Sequence, residues 1–226
     1  MVENTKVKVR KKENMTNRIL IPINLFVIML LFGFLTFVYA ENPPENILKN
    51  GDFDNKLEEW HLWTHESADA VFLTEGKKAE PIIGDNAAYI NIAKAGENVH
   101  HIQLYQQPFF LEKDTIYTYG LWAKSEKPRN ATMRIIHQGA PWNIYISQVI
   151  NLTEIWQEYF ITFTMPEDDV NSRAGIIMGT DRNDVWVDHV RVYKGQFVQD
   201  IEGVEPHPVE PVNKLATTWA TLKSQK

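Results

Sequence analysis

The sequence predicts an all-β protein built as a single antiparallel β-sandwich. Three observations lead to this fold class. Apolar and polar residues alternate along several short segments, turn residues separate these segments, and no apolar segment keeps a helical period. Short strands at such regular spacing are typical of sandwiches. The predicted strands are residues 69–73, 87–93, 99–107, 115–124, 131–138, 144–150, 156–165, 173–179 and 185–193.

The clearest alternation lies in the segment 115–124. Tyr119 and Leu121 fall on one face of this strand, and Gly120 and Trp122 fall on the other. Alternation separates the two faces of a strand without saying which of them meets the core. Both faces of this segment therefore stay candidates for the interior and for a ligand surface.

The composition of the chain excludes several functional classes. Its 226 residues are 44% apolar and 12% aromatic, which is typical of a globular protein. The formal net charge of −6 argues against a general nucleic-acid binder. The absence of cysteine excludes disulfides, thiolate nucleophiles, and zinc or iron–sulfur sites held by cysteine.

Residues 1–40 have the pattern of a secretory signal peptide, with a basic start, an apolar run from Ile19 to Val38, and small residues before Glu41. We predict cleavage after Ala40 and a secreted, extracytoplasmic protein. The alternative is an uncleaved anchor, because the run approaches the ~20 residues that span a bilayer. The membrane is expected as a partner only in that case. Six basic and two acidic residues lie in this segment, so the rest of the chain carries 17 basic and 27 acidic groups, a net charge of −10.

The remaining chain divides into three predicted parts. Residues 41–46 form a linker, residues 47–195 form the sandwich domain, and residues 196–226 form a Pro- and Glu-rich linker with a short tail. The tail has Leu215 and Trp219 at the spacing of an amphipathic helix, but a helix of that length is marginal in water.

The enzyme signatures that a sequence can show are absent. The chain has no nucleophile elbow, P-loop or dinucleotide-binding glycine motif. His61 and His65 have the spacing of a zinc-protease helix, but Leu62 replaces the required Glu. A glycosidase needs two carboxyl groups across a cleft, and the many acids of this chain make any such pair unspecific.

Aromatic and planar polar side chains cluster in two consecutive strand-like segments. Flat rings stack on the C–H faces of sugars, while amides and guanidinium groups bond to sugar hydroxyls, so this combination is suited to a carbohydrate ligand. Core packing is the alternative for every Trp here. The candidate ligand-binding residues are Trp122, Trp142, Tyr145, His137, Gln138, Arg134 and Gln103.

The order of several short motifs resembles carbohydrate-binding modules of families four, nine and twenty-two, over about 150 residues. The segment 46–54 (NILKNGDFD) followed by Trp60 is similar to their opening motif. The segments 103–124 and 156–164 resemble their central strands. The segment 187–192 (VDHVRV) resembles their closing strand, except that His189 replaces an Asp.

This resemblance implies a jelly-roll sandwich with a structural calcium ion that joins the two ends of the domain. The implied Ca²⁺ ligands are the carboxylates of Asp54 and Asp188 and the backbone carbonyl of Asp52. Asp52 and Asp54 also fit a simple turn around Gly51.

Three functional hypotheses follow. The first is an exported, non-catalytic carbohydrate-binding module that recognises a polysaccharide or oligosaccharide and acts beside a separate glycan-degrading enzyme. The second is a structural or adhesive β-sandwich that binds a protein partner at the cell envelope. The third is a small glycan-cleaving enzyme. The overall acidity of the chain argues weakly against polyanionic sugars unless calcium bridges them.

Overall fold

A computed structural model describes residues 43–73 and 81–201 and the backbone of a short strand at His207–Pro208. The predicted signal peptide, most of the Pro- and Glu-rich linker, and the tail with Leu215 and Trp219 lie outside these residues. Within the described part of the chain, no helix is long and apolar enough to cross a membrane.

The regular secondary structure of the described chain is almost entirely β, with one short 3₁₀ turn at Val99–His101. Every predicted strand is present, and two further strands, His61–Thr64 and His207–Pro208, were not predicted. The strands are β1 His61–Thr64, β2 Asp69–Leu73, β3 Ala88–Lys94, β4 Ile102–Leu111, β5 Ile116–Ser125, β6 Arg129–His137, β7 Ile144–Leu152, β8 Gln157–Thr164, β9 Asp169–Ile177, β10 Val185–Lys194 and β11 His207–Pro208.

These strands form two stacked sheets, which confirms the predicted all-β sandwich. The five-stranded sheet has the order β1-β4-β9-β6-β7, and the six-stranded sheet has the order β11-β8-β5-β10-β3-β2. All the pairings are antiparallel except the two-residue strand β11, which runs parallel to β8.

The core lies between the sheets and follows the alternation of the strands. Leu104 and Ile176 from the five-stranded sheet, and Tyr119 and Leu121 from the six-stranded sheet, are at most 2% exposed and belong to one apolar cluster. Since strand residues alternate, the residues between these point to the outer faces of the two sheets. The outer face of the five-stranded sheet carries the groove described below.

The opening motif ties the start of the domain to the last long strand. Asn50 adopts a positive φ of 50°, and its side-chain amide donates hydrogen bonds to the carbonyls of Lys56 and Glu58 at 3.0 and 2.9 Å. A Cβ on Gly51 would lie 2.2 Å from the carbonyl oxygen of Val190, so only glycine fits this close approach. The Asn-Gly pair is therefore explained by backbone geometry.

Candidate functional site

A groove crosses the outer face of the five-stranded sheet. It encloses about 590 Å³, which lies in the usual size range of ligand sites. Strands β1, β4, β9 and β6 form its floor, and the loop between β6 and β7 closes one side. The residues that line it are Trp63, His100, Gln103, Tyr105, Arg134, Ile136, Gln138, Trp142 and Arg173.

Strand register places these side chains in rows on one face. Tyr105 of β4 pairs with Gly175 of β9, and Gly175 pairs in turn with Arg134 of β6. A Cβ on Gly175 would lie 2.6 Å from the carbonyl oxygen of Leu104 and 2.8 Å from the Cβ of Tyr105. The missing side chain of Gly175 therefore allows Tyr105 to lean across the middle of the groove floor.

Arg173 is the most firmly held polar side chain of the groove. Its guanidinium donates hydrogen bonds to Oε1 of Gln103 at 2.5 Å and to Oε1 of Gln138 at 3.1 Å. The guanidinium carbon lies 3.5 Å from the centroid of the Tyr105 ring, which adds a cation–π contact. Burial, reinforced by the charge of the neighbouring Arg134, lowers the pKa of Arg173. An arginine nevertheless stays protonated in a protein, so the groove floor carries a positive charge.

Two exposed tryptophans border the groove on opposite sides. Trp63 lies on β1 at one edge of the sheet and is 39% exposed. Trp142 lies in the loop between β6 and β7 and is 47% exposed, with a positive φ of 62° and a hydrogen bond from its N–H to the carbonyl of Gly139. Their rings offer flat apolar surfaces beside the polar side chains of the floor, as stacking on a sugar ring requires.

The structure brings four of the seven sequence-predicted ligand residues into this groove, namely Gln103, Arg134, Gln138 and Trp142. Tyr145 and His137 do not line it. The hydroxyl of Tyr145 donates to Glu167 at 3.0 Å, and Nδ1 of His137 lies 3.0 Å from Oδ1 of Asp169. Both side chains contact carboxylates at the start of β9 or just before it.

Trp122 cannot serve as a stacking platform, which corrects its prediction as a ligand residue. It lies on the six-stranded sheet and is completely buried. Its neighbours on the same face are Glu158 and Asp188, which are equally buried. That face is covered by further chain, for example by Phe197, whose ring stacks on Phe160 with centroids 3.7 Å apart.

Sequence reasoning missed five of the lining residues. Tyr105 lies two residues after Gln103 in a predicted strand, so both fall on the same face, and this spacing was a usable signal. Trp63 was missed because its strand was not predicted, and Arg173 because its predicted strand began at that residue. The five missed residues are Trp63, His100, Tyr105, Ile136 and Arg173.

The proposed calcium ligands are not arranged as a calcium site. The carboxylate of Asp188 is fully buried and accepts hydrogen bonds from the backbone N–H groups of Ile82, Ile83 and His189 at 2.7, 3.3 and 2.7 Å. Burial raises the pKa of Asp188 to about 7, although these three donors act in the opposite direction. The negative charge of Asp52 contributes to this rise.

The carboxylate of Asp54 and the side chain of Asp52 also have other partners; the ligand that the family resemblance implies at Asp52 is its backbone carbonyl. Oδ1 of Asp52 lies 2.6 Å from Nδ1 of His189, whose Nε2 lies 2.8 Å from Asp200. Oδ1 of Asp54 accepts the N–H of Asp85 at 2.8 Å. Within residues 43–73 and 81–201, no group of three or more histidine, aspartate or glutamate residues is placed to hold a metal ion. Since Ca²⁺ takes six to eight oxygen ligands, these residues do not fit the ion, and calcium stays an untested prediction.

Comparison with known proteins gives the chain a family. Residues 45–183 match the family model described as "Carbohydrate binding domain", which groups modules of types four and nine. A cellulose 1,4-beta-cellobiosidase of Acetivibrio thermocellus is 25% identical over 181 residues, an alignment that covers 73% of this chain. The chain spans only 20% of the length of that curated relative.

Solved structures share the same architecture. A family 4 carbohydrate-binding module is 29% identical with a TM-score of 0.54, and the match covers 65% of this chain and 99% of that one. A Clostridium thermocellum xylanase 10B fragment, solved with xylohexaose, is 12% identical with a TM-score of 0.50. That match covers 67% of this chain and 29% of the fragment, and it shows likeness of fold alone.

Proposed function

Because the chain belongs to the family of carbohydrate-binding domains, we propose that it is an exported, non-catalytic module that binds a polysaccharide or oligosaccharide in the groove of its five-stranded sheet. One observation carries this proposal: Trp63 and Trp142 border a groove whose floor presents the amides of Gln103 and Gln138. Stacking surfaces beside planar hydrogen-bonding groups match the two kinds of surface that a sugar ring offers.

The shape and rigidity of the site support binding. Trp142 and Trp63 are exposed in the unliganded protein, whereas Arg173 and the two glutamines already hold one another through hydrogen bonds. A site that is ordered before the ligand arrives avoids part of the entropic cost of association. The lining residues that the structure describes supply no carboxyl group to act as general acid or base, so the groove is suited to recognition.

Export and an accessory role in glycan degradation complete the proposal. Export rests on the signal-peptide pattern of residues 1–40. The accessory role rests on the sequence likeness to a cellobiosidase, of which the matched part is one fifth.

The test is retention of the protein on insoluble cellulose, xylan and β-1,3-glucan, followed by isothermal titration with oligosaccharides of any glycan that retains it. The variant Trp142→Ala is expected to lose most of the retention because it removes a stacking surface. Phe110→Ala is the matched control, since Phe110 has a similar exposure of 50% but lies outside the groove. Equal retention of both variants would contradict the groove as the binding site.

The same proteins distinguish the alternatives. Release of reducing ends from a retained glycan would show a glycan-cleaving enzyme and overturn the non-catalytic part of the proposal. Absence of retention on every glycan tested, by a folded protein, would favour the sandwich that binds a protein partner.

A further inference from the structure

The charge of the groove is opposite to the charge of the rest of the protein. Beyond residue 40 the chain carries a net charge of −10. The groove nevertheless contains two guanidinium groups, those of Arg134 and Arg173, and none of its described lining residues is acidic. A local cluster of one charge sign in a concave surface raises the concentration of ligands of the opposite sign.

Other buried arginines of this protein have carboxylates beside them. Arg191 forms ion pairs with Glu158 at 2.8 Å and with Asp200 at 2.5 Å. Burial lowers the pKa of Arg129, but the charges of Asp181 and Asp184 offset part of that effect. This is the usual arrangement, because a buried charge is costly unless it is paired.

The two groove arginines lack this compensation. Among the residues that the structure describes, neither Arg134 nor Arg173 forms an ion pair. The Nε of Arg134 is buried without a hydrogen-bond partner there, and burial lowers the pKa of this side chain. Among the same residues, the guanidinium of Arg173 donates hydrogen bonds only to neutral amide oxygens, those of Gln103 and Gln138.

A glycan carboxylate would supply the missing partner. Guanidinium groups match the planar geometry of a carboxylate and bind it through paired, charge-assisted hydrogen bonds. Such bonds are worth more than bonds between neutral groups, particularly where water is partly excluded. A neutral glycan leaves both positive charges uncompensated when it covers the groove.

We propose that the groove prefers an acidic saccharide, with the carboxylate of a uronic acid residue bound by Arg134 and Arg173 and adjacent sugar rings stacked on Trp63 or Trp142. This inference rests on the proposed glycan-binding function and names its ligand class. It also replaces the expectation from net charge that polyanionic sugars are disfavoured, because the local charge of the groove decides recognition.

The test compares each acidic polysaccharide with its own carboxyl-reduced, neutral form, using polygalacturonate, alginate and glucuronoxylan. For at least one pair, the acidic form is expected to bind on the order of tenfold more tightly at low salt. The difference should shrink as sodium chloride is raised, since salt screens the attraction. Equal or tighter binding of the reduced form in every pair would overturn the inference.

Two variants assign the effect to the groove. Arg134→Gln is expected to remove most of the preference for the acidic form, measured as the ratio of the affinities for the acidic and the carboxyl-reduced polysaccharide. Arg182→Gln makes the same change of charge at an exposed position outside the groove and should keep the preference. Loss of preference in both variants would show a general charge effect and contradict the site.

The outcomes separate this inference from the proposed function. Retention on neutral glycans with no preference for the acidic forms would support the glycan-binding function and overturn the inferred preference for a uronic acid. Binding to no glycan, acidic or neutral, would overturn both.

Discussion

The guanidinium of Arg173 lies over the ring of Tyr105, with its carbon 3.5 Å from the ring centroid, in the middle of the groove floor. The two side chains come from neighbouring strands, β9 and β4, and both point away from the core. Gln103 and Gln138 hold the edges of the same guanidinium. The charge of Arg173 is therefore fixed in place before any ligand binds, which limits the loss of side-chain entropy on binding.

Arg173→Lys is expected to weaken binding of the retained glycan on the order of tenfold, although the charge is kept. A lysine ammonium cannot bond to both glutamines as a planar fork or stack on Tyr105 in the same way. Isothermal titration with the same oligosaccharide measures the change, and a thermal melt checks that the variant is folded. A lysine variant that binds as tightly as the wild type would show that only the charge matters.

Trp122→Ala is expected to lower the free energy of unfolding by about 3–5 kcal/mol, because it removes a large, fully buried side chain. Urea denaturation measures this loss. The fraction that stays folded should bind glycan as the wild type does, since Trp122 lies on the other sheet.

Trp122→Phe provides the second variant in case the alanine form does not fold. The indole N–H of Trp122 has no hydrogen-bond partner among the described residues, so its removal costs little and the phenylalanine form should be the more stable of the two. A well-folded variant at position 122 with selective loss of glycan affinity would return this residue to the ligand site.

Asp169 is expected to make the domain less stable as the pH falls into the acid range. Burial alone would raise the pKa of Asp169, but hydrogen bonds from the N–H of Asn171 and from His137, Ser172 and Tyr145 outweigh it and hold the pKa below its usual value. A carboxyl group whose pKa is lower in the native state stabilises the fold fully when the pH is above its unfolded-state pKa of about 3.9. This contribution is then lost as the pH falls through the lower native value.

Asp169→Asn should therefore lower the free energy of unfolding by about 2 kcal/mol at neutral pH and by less in acid. Urea denaturation at about pH 7 and at acid pH measures both effects. Glu154→Gln is the control, since it removes an exposed acid with no part in this cluster. Parallel pH profiles for the wild type and Asp169→Asn would contradict the assignment.

Alternation along the strands was sufficient to predict the fold. It predicted nine strands that the structure contains, because period-two patterning survives wherever one face of a sheet is buried. Alternation could not assign the two faces of β5, because Thr118 and Trp122 are buried as completely as Tyr119 and Leu121. Both faces of that strand are covered, so the pattern could not distinguish the core from a ligand surface.

The groove was only partly predictable for a related reason. Gln103, Arg134, Gln138 and Trp142 were found because they lie in strand-like segments with the right residue types. The contact of Arg173 with Tyr105 depends on the pairing of β4 with β9, which are separated by four other strands in the chain. Local sequence contains no information about that pairing, so the contact itself could not be predicted, although the parity of β4 would have placed Tyr105 on the same face as Gln103.

The calcium prediction can be decided by thermal melts of the protein in excess calcium and in excess EGTA. The structure leads us to expect no difference in Tm, because the two implied carboxylate ligands, those of Asp188 and Asp54, already accept backbone hydrogen bonds. A bound ion would stabilise the native state by mass action, so a fall in Tm on chelation would restore the site implied by the family resemblance.

Two variants test whether any effect of calcium on Tm arises from Asp188 and Asp54. Asp188→Asn should destabilise the domain with or without calcium, since an amide N–H₂ would face backbone donors that the carboxylate now satisfies. Asp54→Asn keeps an oxygen acceptor for the N–H of Asp85 and should change the stability little. If Asp54→Asn instead abolished a calcium-dependent rise in Tm, its carboxylate would have to leave Asp85 and bind the ion. The arrangement of these carboxylates described above would then be the calcium-free state.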